Sequence, residues 1–412
     1  MLCVDVVNVV LNGVQQQLKS GLALHFTCGP NGDKELLSQS YPLPSRRTLL
    51  RSMQHIRFES GVLSEVFGYL SVKVKCMSPE ERECVLTLDE ISIKAAVELD
   101  NRSCNFIEDV TLPKHSGAAT HAVVFMLGGI STRWKQTVAY FFSGNSTDGR
   151  VLCDIVKEII VLCSGIGLNV MAVTSDMGSA NRAMWKTLGI VCGQDKCIPS
   201  FTHPSAAEKA VYVFADVPHL VKNLRNHIVN GQNIVLPDTI VNEFSLPTSV
   251  VSVEPLRSLV QYQADKALKP APKLSQKHLQ LSHFDKMKVA HAMAIFSKAV
   301  SAALRLLVEA GICEQSTLTT AWFLETVNHW FDLMSSRHPV MALSKFDNEK
   351  YLQAVHFLNM VIDLFGHLTI GKECSWKPVQ SGIILSTTSM LQAHEKLLHE
   401  NNFRFVLTSR FT

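Results

Sequence analysis

Asn169-Val170-Met171-Ala172-Val173-Thr174-Ser175-Asp176-Met177-Gly178-Ser179 reads as a β-strand that ends on a carboxylate and hands the chain to a helix. The helix is expected over 179–188, closed by Gly189. Upstream, 151–163 has apolar residues at helical spacing, with Asp154, Lys157 and Glu158 on the wet side and Gly165 and Gly167 as the stop. Downstream, Ala210-Val211-Tyr212-Val213-Phe214-Ala215 is a further strand. It ends at Asp216, which reads as a cap, and Pro218 then opens a helix through His227 at a position that suits proline.

Three more strands precede these. Val85-Leu86-Thr87-Leu88-Asp89 carries one acid in an apolar run, and His121-Ala122-Val123-Val124-Phe125-Met126-Leu127 and Gln136-Thr137-Val138-Ala139-Tyr140-Phe141-Phe142 follow. Gly128-Gly129 and Ser131-Thr132-Arg133 suit a tight turn between the last two. A short loop implies antiparallel pairing, and helical crossovers imply parallel pairing. The order of three strands, helix, strand, helix, strand, helix therefore predicts an α/β, ribonuclease-H-like mixed sheet. From about 231 to 392 the strand signals fade. Helical stretches are expected at 285–310, 318–334 and 348–368, punctuated by Pro270-Ala271-Pro272 and by a loop at 371–378. A mostly α-helical unit thus follows the sheet strands.

The composition permits a large core: 412 residues, 47% hydrophobic, 18% charged, with a net charge of +3. Near-neutral charge neither demands nor excludes nucleic acid, so a DNA-binding face would rest on local basic patches. The 11 cysteines are odd in number and irregularly spaced, and no secretory leader pattern opens the chain; free thiols in a reducing compartment are the natural reading. Cys192, Cys197, His203 and His219 approach a zinc pattern but lack a second ligand pair. No uninterrupted apolar run reaches a membrane-spanning length, so no membrane partner is expected. Near the start, Tyr41-Pro42-Leu43-Pro44-Ser45-Arg46-Arg47-Thr48-Leu49-Leu50-Arg51 carries a helix-start signal with Ser45 as cap. Its arginines could contact phosphates from a helix-turn-helix-like unit or form a solvated basic edge.

Asp89 sits in an apolar strand, where a carboxylate is costly unless paired or hydrogen-bonded. Asp176 stands at a strand's carboxyl end, where ligands bind in open α/β sheets. In the predicted order these two strands are neighbours, so both acids meet above one sheet edge. A divalent cation relieves their repulsion, and oxygen ligands suit Mg²⁺ or Mn²⁺. Such ions support phosphodiester cleavage. The competing readings are a helix cap for Asp176 and an exposed strand end for Asp89. Phosphate-loop, dinucleotide-binding and nucleophile-elbow motifs are missing.

Several stretches together resemble the P-element-type transposases, the group that includes THAP-domain transposases. They are 41–49, Leu88-Asp89-Glu90-Ile91, Thr174-Ser175-Asp176-Met177-Gly178-Ser179-Ala180-Asn181-Arg182 with Trp185, and Phe214-Ala215-Asp216-Val217-Pro218-His219-Leu220-Val221-Lys222-Asn223-Leu224-Arg225-Asn226. Lys286-Met287-Lys288-Val289, Trp330-Phe331-Asp332-Leu333-Met334 and Leu407-Thr408-Ser409-Arg410 follow in family order. The resemblance implies a ribonuclease-H-like catalytic domain with a GTP-binding insertion, acting in cut-and-paste DNA transposition through three acids. Asp89 and Asp176 match the first two, as catalytic residues and ligands of Mg²⁺ or Mn²⁺. The third, a glutamate, follows the Leu-Thr-Ser-Arg stretch in the family and is expected beyond Thr412, which implies impaired chemistry for residues 1–412.

By the same resemblance the GTP site falls on Lys273, Val289, Ser297, Phe331, Asp332 and Ser335, where the family usually has asparagine at the last position. An aromatic ring can stack on a base, a carboxylate can accept two hydrogen bonds from guanine, and a lysine can serve phosphates. By helical position alone, Val289, Ser297 and Phe331 read equally as core. The implied domains are a helix-turn-helix-like segment (1–75), the first part of the ribonuclease-H-like domain (76–228), the GTP-binding insertion (229–395) and the return to the sheet domain (396–412). Implied partners are DNA at transposon ends, GTP and further copies of the chain, in the nucleus. The alternatives are a non-catalytic, domesticated DNA- or GTP-binding regulator and a ribonuclease-H-type nuclease acting on RNA.

Overall fold

The computed structural model describes residues 59–93, 109–371 and 376–412, the backbone of 98–100 and 105–107, and the positions 34, 35, 38, 39, 45, 47, 48 and 51. Most of the 1–75 segment, with Arg46 and the leucines after it, lies outside these. Ser45 does show cap geometry: its Oγ accepts from the backbone N of Thr48 at 3.3 Å.

The framework is a sheet of seven strands: β1 (Gly61–Val62), β2 (Glu83–Ser92), β3 (His121–Gly129), β4 (Lys135–Ser143), β5 (Asn169–Ser175), β6 (Ser200–His203) and β7 (Ala206–Ala215), in the spatial order β1-β4-β3-β2-β5-β7-β6. β2 runs antiparallel to β3 and parallel to β5, and β5 runs parallel to β7. This is the mixed ribonuclease-H-like arrangement. α1 (Ser64–Lys75) precedes β2, α2 (Gly149–Gly165) and α3 (Ser179–Thr187) make the crossovers, and α4 (Val217–Val229) follows β7. α2 begins where Asp148 accepts from Arg150 N at 2.8 Å and buries Val151, Leu152, Ile155, Val156, Ile159 and Ile160. After it, Gly167 adopts φ +90, a left-handed turn that L side chains resist, and aims the chain into β5.

Parallel register sets the functional rim. Thr87 pairs with Thr174, and Ala215 pairs with Ser175. The point where β2 parts from β5 and the carboxyl ends of β5 and β7 therefore lie side by side, each followed by an aspartate, while β2 itself runs on to Ser92 against β3.

The helical insertion leaves the sheet after α4. Ile234–Val235 pairs with both Val250–Val251 and Thr369–Ile370, so its entry and exit are stitched together. Between them lie α5 (Glu254–Tyr262), α6 (Val289–Ile295), α7 (Lys298–Glu309), α8 (Thr317–Met334) and α9 (Asn348–His367). The buried Gln263 amide holds the proline-containing loop, donating to the carbonyls of Ala271 at 3.0 Å and Leu274 at 2.8 Å and accepting from Ala271 N at 3.1 Å. The continuous helix expected over 285–310 is instead three pieces: His283–Met287, α6 and α7. Lys288 is extended, and Ser297 leaves the helical region to cap α7, accepting from Val300 N at 3.4 Å. The run Val289–Glu309 has the length and hydropathy of a membrane span, but more than half of it is buried in the fold, as in a core helix of a soluble protein.

α10 (Pro378–His399) returns to the sheet and covers an edge. β6 pairs with β7 only as far as Tyr212. Beyond it, Ser389 Oγ donates to Val213 O at 2.5 Å, and Ser386 Oγ both accepts from Ala215 N and donates to Ala215 O, each at 2.9 Å. Two serines one helical turn apart thus satisfy backbone groups that no strand reaches. The last residues cross back to the sheet. Asn401 Nδ2 donates to Glu83 Oε1 at 2.9 Å, Val406 pairs with Leu343, and Phe411 packs on Phe214 with ring centroids 5.0 Å apart.

Candidate active site

Asp89 on β2 and Asp176 just beyond β5 each stand two residues past the Thr87–Thr174 register pair. The structure brings both to one cavity of about 270 Å³, lined also by Glu90, Asn145, Ser146, Thr147, Gly178, Ser179 and Asn181. Asp89 Oδ1 accepts from Glu90 N at 2.9 Å. Asp176 Oδ1 accepts from Gly178 N at 2.9 Å and from Asn181 Nδ2 at 2.6 Å. Asp176 therefore shapes the entry to α3, and it does so with one oxygen. Among the described residues the other oxygen of each carboxylate has no protein partner. Glu90 is turned aside, its Oε1 accepting from Ser143 Oγ at 3.1 Å. Thr147 Oγ1, also on the cavity, is buried without a partner.

The third strand end adds what the sequence reading did not single out. Asp216 N donates to Ser175 O at 2.9 Å, which fixes Asp216 next to Asp176. As a cap, Asp216 accepts from His219 N at 3.2 Å, and its Oδ2 also holds His219 Nδ1 at 2.5 Å. The hydrogen bond to Asp216 raises the His219 pKa; burial opposes it, and Asp216 and Asp176 add charge attraction. Burial lowers the Lys222 pKa, against the pull of Asp216, Asp89 and Asp176. The first turns of α4 therefore put an imidazole and an ammonium in the field of the same carboxylates. The spacing of Asp216, His219 and Lys222 at i, i+3 and i+6 is the signal that could have found them.

The donor set fits a hard divalent cation held in part by solvent or phosphate: two carboxylates from adjacent strands, each with a free oxygen, on a cavity roomy enough for water. Among the described residues no group of three or more His, Cys, Asp or Glu is placed to hold a metal. The zinc-like quartet is not assembled either: His203 Nδ1 accepts from Ser205 N, and His219 is engaged by Asp216.

In the insertion, Phe331 and Asp332 occupy the last turn of α8, and Ser335 follows as its C-cap, with Ser335 Oγ donating to Phe331 O at 2.6 Å. Asp332 Oδ2 accepts from Asn328 Nδ2 at 2.8 Å. Lys273 is exposed in the loop after Pro272, Val289 opens α6, and Ser297 caps α7. The helix end gathers Phe331, Asp332 and Ser335, while the other three stand on separate elements. A further cavity of about 260 Å³, lined by Lys298, Trp322, Glu325, Thr326, His329 and Phe357, opens along α8.

Residues 58–189 match the family described as "TNP-like, RNase H N-terminal domain", and residues 218–348 match the "TNP-like, GTP-binding insertion domain". The chain is 24% identical over 413 aligned residues to the Transposable element P transposase of Drosophila melanogaster, covering 98% of this chain and 51% of that protein. It is 27% identical over 303 residues to DNA transposase THAP9 of Homo sapiens, covering 72% of this chain and 32% of that protein. The chain thus spans about half the length of the fly relative and a third of the human one. The solved Drosophila P element transposase strand transfer complex has the same fold, with a TM-score of 0.73, 24% identity, and coverage of 96% of this chain and 83% of that one.

Proposed function

Because the chain belongs to the P-element-type, THAP-related transposase family, we propose that its sheet frames metal-dependent cleavage and joining of DNA at transposon ends, with GTP bound by the insertion. The observation that carries this reading is the meeting of Asp89 and Asp176 on one cavity with an oxygen of each uncommitted. Those oxygens would hold Mg²⁺ or Mn²⁺. Such ions activate an attacking water or sugar hydroxyl and stabilise the leaving oxygen of a phosphodiester. The chain's own residues do the positioning. Gly178 N and Asn181 Nδ2 fix the Asp176 carboxylate, and the parallel register fixes the strand ends. Lys222 brings an ammonium, and His219 an imidazole held by Asp216, to where a phosphate backbone would lie.

Residues 1–412 on their own are proposed to be weak in this chemistry, because two carboxylates hold a metal pair poorly. The family's third acid, a glutamate, follows the Leu-Thr-Ser-Arg stretch. Thr174 Oγ1 bonds the carbonyl of Phe411, so a continuing chain would start beside the rim. The insertion is proposed to use Phe331 and Asp332 for guanine, and Lys273 with Val289, Ser297 and Ser335 for the rest of the nucleotide. Domain limits at 75, 228 and 395, self-association and nuclear residence complete the proposal. A domesticated regulator that binds DNA or GTP without cutting is the second reading.

Metal and nucleotide binding are tested apart. Mn²⁺ titration followed by electron paramagnetic resonance should show binding that Asp176→Asn removes; no binding by the wild type would sink the metal site. GTP calorimetry should show binding lost in Asp332→Ala. GTP binding without Mn²⁺ binding selects the regulator.

A further inference from the structure

Val191–Cys192 and Cys197–Ile198 form a small antiparallel hairpin in which Cys192 and Cys197 are directly opposed. Gly193 N donates to Lys196 O at 3.0 Å, so 193 and 196 are the hydrogen-bonded pair at the turn. Pairs alternate along an antiparallel ladder, so 192 and 197 are a non-hydrogen-bonded pair, with Cα atoms about 4.5 Å apart and side chains at their closest. A disulfide needs a Cα separation of about 4.4–6.8 Å. The two thiols are free and partly exposed.

Their surroundings differ. Cys192 Sγ donates to the carbonyl of Ser381, in the first turn of α10, at 3.2 Å, which keeps its proton in place. Cys197 Sγ makes no such bond to a carbonyl among the described residues, and its pKa lies below the ordinary thiol value through its interaction with Cys192, whereas the Cys192 pKa is raised. Burial raises the Cys84 and Cys163 pKa values, and both side chains are enclosed in the core.

We propose that Cys192 and Cys197 are an oxidisable dithiol that closes reversibly to a disulfide, with Cys197 attacking and Cys192 resolving. With a peroxide as oxidant, the Cys197 thiolate attacks one peroxide oxygen, the O–O bond breaks, and Cys197 becomes a sulfenic acid as one water is released. The Cys192 sulfur then attacks the Cys197 sulfur, the S–O bond breaks and a second water leaves with the Cys192 proton. The two thiols lose two electrons and the peroxide gains them. Closure removes the S–H donor from Ser381 O and so loosens the hairpin from the start of α10.

The test treats the purified 412-residue protein with hydrogen peroxide or glutathione disulfide, alkylates the remaining thiols under denaturing conditions and maps tryptic peptides by mass spectrometry. Peptides 187–196 and 197–209 should appear joined, and should separate on reduction. Full alkylation of both while the exposed Cys76 is oxidised would overturn the proposal. With glutathione disulfide, Cys192→Ser should leave a glutathione adduct on Cys197, whereas Cys197→Ser should leave Cys192 unmodified. The reverse pattern would overturn the assigned roles. The mapping of the unsubstituted protein stands even if a variant fails to fold.

Discussion

Thr174 Oγ1 donates to the carbonyl of Phe411 at 2.7 Å, a buried bond across 237 positions of sequence. It joins the strand that delivers Asp176 to the last residues of the chain. The carbonyl has no route to water there, because Phe411 is fully buried. Thr174→Val removes the donor at nearly constant volume and strands that acceptor, so a loss of about 1–3 kcal/mol is expected in urea unfolding. An unchanged midpoint would show that water replaces the hydroxyl.

Gly382 offers a case where two effects oppose. Glycine to alanine inside an exposed helix gains about 1 kcal/mol. Here the new Cβ would lie 2.4 Å from Leu220 Cδ2, 3.1 Å from Met177 Sδ and 3.4 Å from Ala215 Cβ. Overpacking of a tight core typically costs about 1–3 kcal/mol, so Gly382→Ala should be destabilising on balance. Met177 adjoins Asp176, so the variant should also weaken Mn²⁺ binding. A more stable variant would mean that α10 can shift away from α4.

The hydrogen bond of His219 to Asp216 gives stability a pH dependence of known sign. The folded pKa of His219 lies above the ordinary 6.5, so the stabilisation is fully present below 6.5 and lost as pH rises through the folded value. Histidine proton resonances should place the midpoint above 6.5, and Asp216→Asn should move it down. A wild-type midpoint below 6.5 would contradict the pairing.

Ser386→Ala removes both the donor and the acceptor that serve Ala215. Leaving one buried backbone N–H without a partner costs about 1–3 kcal/mol. Hydrogen exchange should show faster opening of the end of β7, with little change in β3. Uniform protection across the sheet would show that the edge finds another partner.

The strand Asn169–Ser175 is legible to the residue, because an apolar run bounded by glycine and by an acid leaves little choice. The meeting of Asp89 and Asp176 follows from connection rules alone, before any side chain is placed. α10 escaped notice for a physical reason. It buries Ser386, Thr387, Ser389 and His394 along with Ile383, Ile384 and Leu385, so no clean polar stripe marks it. β1 and the 191–198 hairpin are too short for alternation to show. The break at Ser297 depends on a side chain competing with its own backbone, which periodicity does not register. Lys222, and the pairing of His219 with Asp216, are hidden by the plain role of Asp216 as a cap.

Arg225 is buried on α4, and its guanidinium donates to Lys286 O at 2.6 Å and to Asp285 O at 3.5 Å. α4 begins at Asp216, and Lys286 lies within the insertion. Pulling the 283–288 segment outward would strand a permanent cation in the interior, so that segment and the helix must move as one piece. The insertion is bolted at this point to the helix that starts at the sheet rim, and a force applied to one arrives at the other.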